Sequence, residues 1–342
     1  MIEPRSHRVS QALSDRFGAT YTDRFARILE IILSDEEIAL LLATPGRSAE
    51  LAWWVKRDGD AVAASLQDLF MRGMIFITRY VDGEPIWDLI DLGRFMDSIL
   101  FDPSYDRFGD EFFDLFREFQ NEDFIPNQPP HDSLRILPID EVIRSTRVLD
   151  SESTRAIVRN SRRIAVQRCP CRTRERRCDA PLEVCLGFDG LADYALKRGF
   201  GREIGKDEAL AILKSCEDLG LVHETVNSDR PDVICNCCTC CCSLLRSVVT
   251  HGIRTAVVAS RFRPEVDEGK CESCLTCVDA CHFSAMVAVD GRREFDAERC
   301  YGCALCAVAC PHEAIAMGEA YPPEHIPSNG IQFNLSLLPP EA

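Results

Sequence analysis

The feature that most constrains this chain is a pair of cysteine runs with identical spacing in its C-terminal part. Both runs read C-x2-C-x2-C-x3-C; the second begins 29 residues after the first and is followed by Pro311. Their members are Cys271, Cys274, Cys277, Cys281, Cys300, Cys303, Cys306 and Cys310. The segments that follow, HFSAMVAV and PHEAIAMG, also match in their small and apolar positions. The sequence therefore predicts one small structural unit that occurs twice.

The spacing of these cysteines indicates iron–sulfur chemistry. Gaps of two residues let successive thiolates wrap around a compact cube of iron and sulfide, and the fourth cysteine of each run begins a short helix that points to the other cluster. The alternative is a pair of zinc ions, each held by four thiolates. Zinc does not require a doubled run with a three-residue last gap, so the pattern favours iron.

On these residues the C-terminal part resembles the bacterial-type 2[4Fe–4S] ferredoxin family. The resemblance implies a ferredoxin-like domain with two [4Fe–4S] clusters. It implies that the ligands of one cluster are Cys271, Cys274, Cys277 and Cys310. It implies that the ligands of the other are Cys300, Cys303, Cys306 and Cys281. His282 stands where the family has a proline, which affects the local turn and the potential of one cluster but not its ligation.

Ten further cysteines form two clumps between residues 169 and 242, and none precedes them. They are Cys169, Cys171, Cys178, Cys185, Cys235, Cys237, Cys238, Cys240, Cys241 and Cys242. In an extended strand Cys235 and Cys237 share one face, while Cys238, Cys240 and Cys242 take the other. We therefore expect two metal centres that each draw on both clumps. Ten thiols suffice for two further iron–sulfur clusters; zinc is the alternative, and the individual ligands stay open.

Arginines surround the first clump. Residues 161–180 contain seven arginines against Glu175 and Asp179. Positive charge lowers thiol pKa values and offsets the charge of a thiolate-bound centre. A solvated basic face and an anion-binding site are the alternatives. Cys216, alone between the clumps in a predicted helix, is expected to pack in the core.

The N-terminal part lacks cysteine and shows a different pattern. Apolar residues at helical spacing, a capping box from Ser34 to Glu37 and an Asp82-Gly83 turn predict helices followed by a β-hairpin. This order resembles a winged helix. The candidate recognition helix, residues 60–72, contains one basic residue, so the sequence favours protein docking over DNA reading.

Together these patterns predict an α+β protein with four regions. Residues 1–95 form a winged-helix-like docking domain, 96–160 a helical linker region, 161–255 a mainly helical cysteine-rich iron–sulfur domain and 256–342 the dicluster ferredoxin domain with a C-terminal tail. From about residue 135 onward the layout also resembles little-characterised iron–sulfur proteins of anaerobic bacteria and archaea. That resemblance indicates the class of iron–sulfur proteins but does not indicate a particular reaction.

The amino-acid composition indicates the cellular environment of the protein and the kind of partner that it binds. Nineteen cysteines, with no secretory signal and no long apolar segment, fit a reducing cytoplasm and a low-oxygen host. The net charge of −16 disfavours nucleic acid and an anionic membrane as partners. Residues 265–320 hold eleven acidic and four basic residues, a net charge of −7. That charge suits docking to an electropositive redox protein.

The sequence therefore predicts a cytoplasmic electron-transfer protein or a redox subunit of an oxidoreductase complex. Single electrons would pass through several [4Fe–4S] clusters to a partner enzyme, and four clusters would contain about sixteen iron atoms. No triad or nucleotide-binding fingerprint occurs, so we assign no catalytic residue and favour a carrier over an enzyme acting alone. The alternatives are an enzyme with an open iron in a central cluster and a redox-sensing DNA-binding regulator.

Overall fold

The computed structural model describes residues 4–19, 21–127, 133–145 and 147–328. Their contacts divide the chain into two compact units, one made chiefly of residues up to Asn127 and the other of residues from Gln128 onward. Within the described ranges, no helix combines the length and the apolarity needed to cross a bilayer. Helices and strands both contribute substantially, which confirms the predicted α+β class.

The first unit consists of helices and one hairpin. Its α-helices are α1 (Pro4–Phe17), α2 (Asp23–Ile32), α3 (Asp35–Ala43), α4 (Ser48–Val55), α5 (Gly59–Met71), α6 (Leu92–Phe101) and α7 (Gly109–Glu118). Its strands are β1 (Ile75–Val81) and β2 (Glu84–Leu89), which pair antiparallel. Shorter helical turns occupy Pro103–Phe108, Phe119–Phe124 and Ile125–Asn127.

Local signals in the sequence explain where these elements begin and turn. The Ser34 hydroxyl accepts a hydrogen bond from the Glu37 backbone N–H (3.3 Å), and the Glu37 carboxylate accepts one from the Ser34 N–H (2.7 Å). This confirms the predicted capping box at α3. Asp82 and Gly83 both have positive φ values, 54° and 81°. They form the tight turn between β1 and β2, as predicted.

One hydrophobic core joins the helices and the hairpin of this unit. Phe25 on α2 stacks on Phe119 with ring centroids 4.9 Å apart, and Phe17 lies 4.5 Å from Phe95 on α6. Phe112 on α7 is buried in the same cluster. The predicted boundary at residue 95 therefore falls inside this unit, because aromatic residues on both sides of it share one core.

The second unit contains a six-stranded antiparallel sheet. Its strands are β3 (Leu134–Leu137), β4 (Ile164–Arg168), β5 (Glu183–Phe188), β6 (Gly201–Glu203), β7 (Val222–Val226) and β8 (Val233–Cys237), in the spatial order β3-β7-β8-β5-β4-β6. Its helices are α8 (Thr154–Asn160), α9 (Pro170–Glu175), α10 (Gly190–Arg198), α11 (Lys206–Asp218) and α12 (Ser243–Val249).

This sheet corrects the prediction that the cysteine-rich middle is mainly helical. The central strands β4, β5 and β7 are buried on both faces. Such strands lack the alternation of apolar and polar residues by which a half-exposed strand is recognised. Cysteines interrupt β5 and β8, whose sequences EVCLGF and VICNC resemble ligand-bearing loops more than strands.

The C-terminal part of the second unit is built from two matching halves. Its elements are β9 (Phe262–Val266), α13 (Thr276–Asp279), β10 (Met286–Val289), β11 (Arg292–Phe295), α14 (Leu305–Val308) and β12 (Ile315–Glu319). β9 pairs with β12 and β10 pairs with β11, both antiparallel. Helices α13 and α14 begin 29 residues apart, as do strands β10 and β12. The structure thus confirms the predicted internal repeat.

Candidate metal centres

The two C-terminal cysteine runs adopt the same backbone conformation. Ser273 and Leu275 in the first run have positive φ values of 54° and 63°, and the residues 29 positions later, Gly302 and Ala304, have values of 69° and 74°. A left-handed residue reverses the chain sharply. Each run therefore curls back on itself, which lets its cysteines face a common point.

Gly302 occupies the tightest of these positions. A Cβ atom there would lie 2.2 Å from the Phe262 carbonyl oxygen and 2.2 Å from the Ser260 hydroxyl oxygen. The Ser260 hydroxyl also donates a hydrogen bond to the Gly302 carbonyl (2.8 Å). Only glycine fits, so this residue fixes the second cysteine loop against the start of β9.

Backbone N–H groups point at several of these sulfurs. The Cys281 Sγ accepts hydrogen bonds from the N–H groups of Ala285 (3.2 Å) and Met286 (3.4 Å). The Cys310 Sγ, at the equivalent position of the second run, accepts one from Ala314 (3.4 Å). Hydrogen bonds to the ligand sulfurs tune the potential of a sulfur-bound cluster.

Four of the cysteines line one pocket. These are Cys281, Cys300, Cys303 and Cys306. The remaining lining includes Phe283, Tyr301 and Met317, so the walls between the sulfurs are apolar. Burial raises the pKa of Cys303 to about 12 and, with the neighbouring thiols Cys303, Cys300 and Cys281, raises that of Cys306 further. The pocket joins one cysteine of the first run to three of the second, and buried thiols of this kind favour a cationic occupant.

The remaining cysteines of the first run differ in their exposure to solvent. Cys277 is buried, Cys271 is partly buried and Cys274 is exposed. Burial raises the pKa of Cys277, and Cys271 and Cys274 contribute to the rise. A hydrogen bond from Thr276 lowers the pKa of Cys274. Cys271 and Cys274 thus lie within electrostatic reach of Cys277.

The central cysteines separate into two groups, of which the first contains only thiols. It consists of Cys178, Cys238, Cys240 and Cys241, whose four sulfurs all lie within 4.8 Å of one another. The Cys178 sulfur is 3.7 Å from that of Cys238 and 3.8 Å from that of Cys241, and Cys240 is 3.8 Å from Cys241. We call this group the tetrathiol site. One member comes from the first clump and three from the second.

The second group contains a carboxylate. Glu224, Cys237 and Cys242 are all buried, and their ligand atoms lie within 4.8 Å of one another. Cys171 lies beside Cys242, whose hydrogen bond lowers the Cys171 pKa to about 6. The Cys235 sulfur lies 3.8 Å from that of Cys185 on the neighbouring strand. The carboxylate–thiol site is the name we give to the six residues Glu224, Cys171, Cys185, Cys235, Cys237 and Cys242. Cys169 lies buried beside this site. Burial, and then the neighbouring thiols Cys171 and Cys235, raise the pKa of Cys169.

Cys242 does not lie with Cys238 and Cys240, with which the sequence predicted that it would share a strand face. Strand β8 ends at Cys237, and residues 239–241 form a turn in which the Cys242 N–H bonds to the Cys238 carbonyl (3.0 Å). The extended alternation therefore stops after Cys237. Cys242 consequently joins Cys237 rather than Cys238 and Cys240. Two groups of neighbouring ligand atoms, each drawing on both clumps, result from this arrangement.

Glu224 is the site residue that the sequence analysis missed. It lies on β7 directly opposite Cys235 of β8 in the antiparallel register. Burial raises its pKa well above the usual range, and Cys235 and Cys171 add to the rise. Three of the five residues of its strand, VHETV, are polar, so the sequence gives no sign that this acid is buried. Its complete burial is what singles it out, since buried acids are rare without a partner.

The arginines have two different roles. Arg172 is buried and donates to the Asn236 carbonyl (3.0 Å) and toward the Cys238 sulfur (3.7 Å). A hydrogen bond from Cys241, followed by that from Arg172, lowers the Cys238 pKa to about 4. In contrast, Arg162 and Arg163 pair with Asp193 (2.7 Å each). Only part of the arginine-rich segment therefore serves the sulfurs.

Cys216 belongs to neither thiol group. It lies buried on α11 against Val184 and Leu221. Burial raises its pKa to about 12, which keeps the thiol neutral. Its position fits the packing role expected from the sequence.

Comparison with known proteins gives one family match. The model of the 4Fe-4S binding domain, Fer4, matches residues 293–316, which contain the complete second cysteine run and the first two residues of strand β12. No curated protein and no solved structure matches the chain. The match supports a ferredoxin-type iron–sulfur motif in this segment. With the clustered cysteines it supports iron–sulfur binding and electron transfer.

Proposed function

We propose that this protein carries single electrons between a soluble donor and a partner oxidoreductase. The observation that carries the proposal is the doubled cysteine unit, one copy of which matches the 4Fe-4S binding domain. When bound, a [4Fe–4S] cluster supplies a centre that accepts and returns one electron. We place one cluster on Cys281, Cys300, Cys303 and Cys306. We place the other on Cys271, Cys274, Cys277 and Cys310.

The residues around these sulfurs fit such clusters. The pocket that contains Cys281, Cys300, Cys303 and Cys306 provides four thiols between apolar walls. The N–H groups of Gly302, Ala285 and Ala314 point at sulfurs of both proposed sets. Because every ligand position in this arrangement is a cysteine, no iron is left open to a substrate. The C-terminal part therefore transfers electrons and does not transform a small molecule.

The acidic surface of residues 265–320 supports a positively charged redox partner. The segment has a net charge of −7, from eleven acidic and four basic residues. Glu294 on β11 is exposed, and so is Asp290 beside it. Complementary charge accelerates encounter more than it tightens the complex. We accordingly place the docking surface for the soluble redox donor on this segment.

Salt should slow the reaction with such a partner. With cytochrome c as a basic probe, we expect the second-order rate of electron transfer to fall roughly tenfold between low and high ionic strength. Glu294→Gln should lower the low-salt rate by roughly twofold, whereas Glu30→Gln, an exposed acid on α2, should leave it unchanged. Stopped-flow absorption measures both. A salt-independent rate would contradict docking by charge.

The first unit is proposed to hold the partner and not to read DNA. Its helices and hairpin follow the winged-helix order, with α5 in the place of the recognition helix. Arg72, the basic residue at the end of α5, pairs with Glu37 and with Asp68 (2.8 Å). Its guanidinium is therefore engaged within the fold. A DNA-reading helix needs several cations free to meet phosphates and bases.

The central test is the metal and sulfide content of protein purified without oxygen. We expect iron and acid-labile sulfide in equal amounts, with about eight of each per chain in the C-terminal clusters alone. Reduction should bleach the brown colour and produce EPR signals of reduced [4Fe–4S] clusters. Iron without sulfide, or colourless protein filled with zinc alone, would refute the proposed function.

A further inference from the structure

The four sulfurs of the tetrathiol site are closer together than an iron–sulfur cube requires. Three of the sulfur–sulfur distances among Cys178, Cys238, Cys240 and Cys241 are 3.7 to 3.8 Å, and every pair of sulfurs lies within 4.8 Å. Four sulfurs bound to one ion at about 2.3 Å lie about 3.8 Å from one another. Four thiolates around a cube lie roughly 6 Å apart, because each binds a different iron at the outside. The spacing fits a single ion.

The same chain supplies an internal comparison. Among the described residues, the eight C-terminal cysteines contribute no group of three or more sulfurs within 4.8 Å of one another. Their loops are thus spread widely enough for a larger occupant, while the tetrathiol site is compact. The two kinds of site differ in geometry although both contain four cysteines. We propose that Cys178, Cys238, Cys240 and Cys241 bind one zinc ion in a closed tetrahedral site.

Charge around the site matches this occupant. One Zn²⁺ with four thiolates has a net charge of −2, which neighbouring cations and N–H donors stabilise in this partly buried site. Arg172 donates toward the Cys238 sulfur (3.7 Å). The backbone of Arg177 acts to lower the pKa of Cys241. Arg246 also lies within electrostatic reach of Cys241 but is paired with the buried Glu175 (2.9 Å). Arg172 is therefore the cation in direct contact with a sulfur of the site.

A site of four thiolates has a higher affinity for a zinc ion than for a single ferrous ion. The four thiolates complete the coordination shell of the ion, and four ligands around zinc adopt tetrahedral geometry. Divalent zinc binds such sites more tightly than ferrous iron does, in the Irving–Williams order. A closed four-thiolate site is also the usual form of structural zinc.

The site joins two segments that are distant in sequence. Cys178 lies on the loop that follows α9, whereas the other three cysteines lie on the turn after β8. The ion would fix this turn and so hold Cys242 toward Glu224 and Cys237. The sequence led us to expect two iron–sulfur clusters in the central region. With zinc in the tetrathiol site, the carboxylate–thiol site is the one central site left for iron. It does not depend on the iron clusters proposed above.

Zinc analysis of the full chain tests the site directly. Protein made in iron-rich medium and purified without oxygen should contain about one zinc per chain. Cys240→Ser should lower the zinc content at least tenfold and leave the iron of the two C-terminal clusters unchanged. Cys216→Ser, which alters a cysteine outside both groups, should retain zinc and iron. X-ray absorption at the zinc edge of the unaltered protein should show four sulfurs at about 2.3 Å and no neighbouring metal.

Each other outcome overturns the zinc assignment. Loss of about four iron atoms in Cys240→Ser, with no zinc in the unaltered protein, would establish a cube. Loss of one iron atom would establish a single iron in place of zinc. Zinc that persists in Cys240→Ser would be bound elsewhere. Failure of the iron clusters would instead appear as missing iron and sulfide with the zinc retained, so the two proposals fail separately.

Discussion

Cys306→Ser is expected to remove one of the two C-terminal iron–sulfur clusters and to leave the other in place. Cys306 is buried in the pocket that also contains Cys281, Cys300 and Cys303. A serine hydroxyl does not supply the soft thiolate that iron–sulfur clusters require. The iron content should fall by about four atoms per chain. Iron and sulfide analysis, with EPR of the reduced protein, measures the loss.

The repeated unit supplies a matched variant. Cys277 occupies the position of Cys306 in the first run, so Cys277→Ser should remove a similar amount of iron but a different EPR component. The zinc content should be unchanged in both variants. Loss of all EPR signals in either variant would contradict separately held clusters. Equal loss of the same component from both would contradict the proposed ligand sets.

The C-terminal part was predictable because its determinants are local. Iron–sulfur ligands at gaps of two and three residues impose a loop shape that depends little on the rest of the chain. The 29-residue repeat therefore appears in the structure as matched helices, strands and positive φ values at Ser273 and Gly302. The capping box at Ser34 and the Asp82-Gly83 turn were predictable for the same reason, since each involves residues at most three positions apart.

The central region was only partly predictable because its site is assembled by strand pairing. Glu224 meets Cys235 through the register of β7 and β8. Cys185 meets Cys235 through the pairing of β5 with β8. No spacing of cysteines in the sequence encodes these registers, and strands buried on both faces have no alternating pattern. The sequence therefore indicated two centres and left their ligands open.

The largest stability effect is expected from Arg261→Met. The Arg261 Nε and Nη2 atoms each lie 2.7 Å from one carboxylate oxygen of Glu152, and both side chains are buried. The same guanidinium donates to the carbonyl oxygens of Arg147 and Tyr321 (3.0 Å each). It thus ties the segment before α8 to the ends of β9 and β12. Methionine would leave the buried Glu152 carboxylate and two partly buried carbonyl oxygens without these donors.

Removing one partner of a buried ion pair costs about 3–5 kcal/mol, because the other charge stays desolvated and unpaired. Urea unfolding under anaerobic conditions should show that loss as a lower midpoint. Arg155→Met is the matched control, since its partner Glu141 is largely exposed; exposed pairs contribute at most about 1 kcal/mol. The double variant Arg261→Met/Glu152→Met should recover much of the lost stability, because it removes the stranded charge. A single variant as stable as the unaltered protein, or a double variant less stable than the single one, would show that the pair does not hold these segments together.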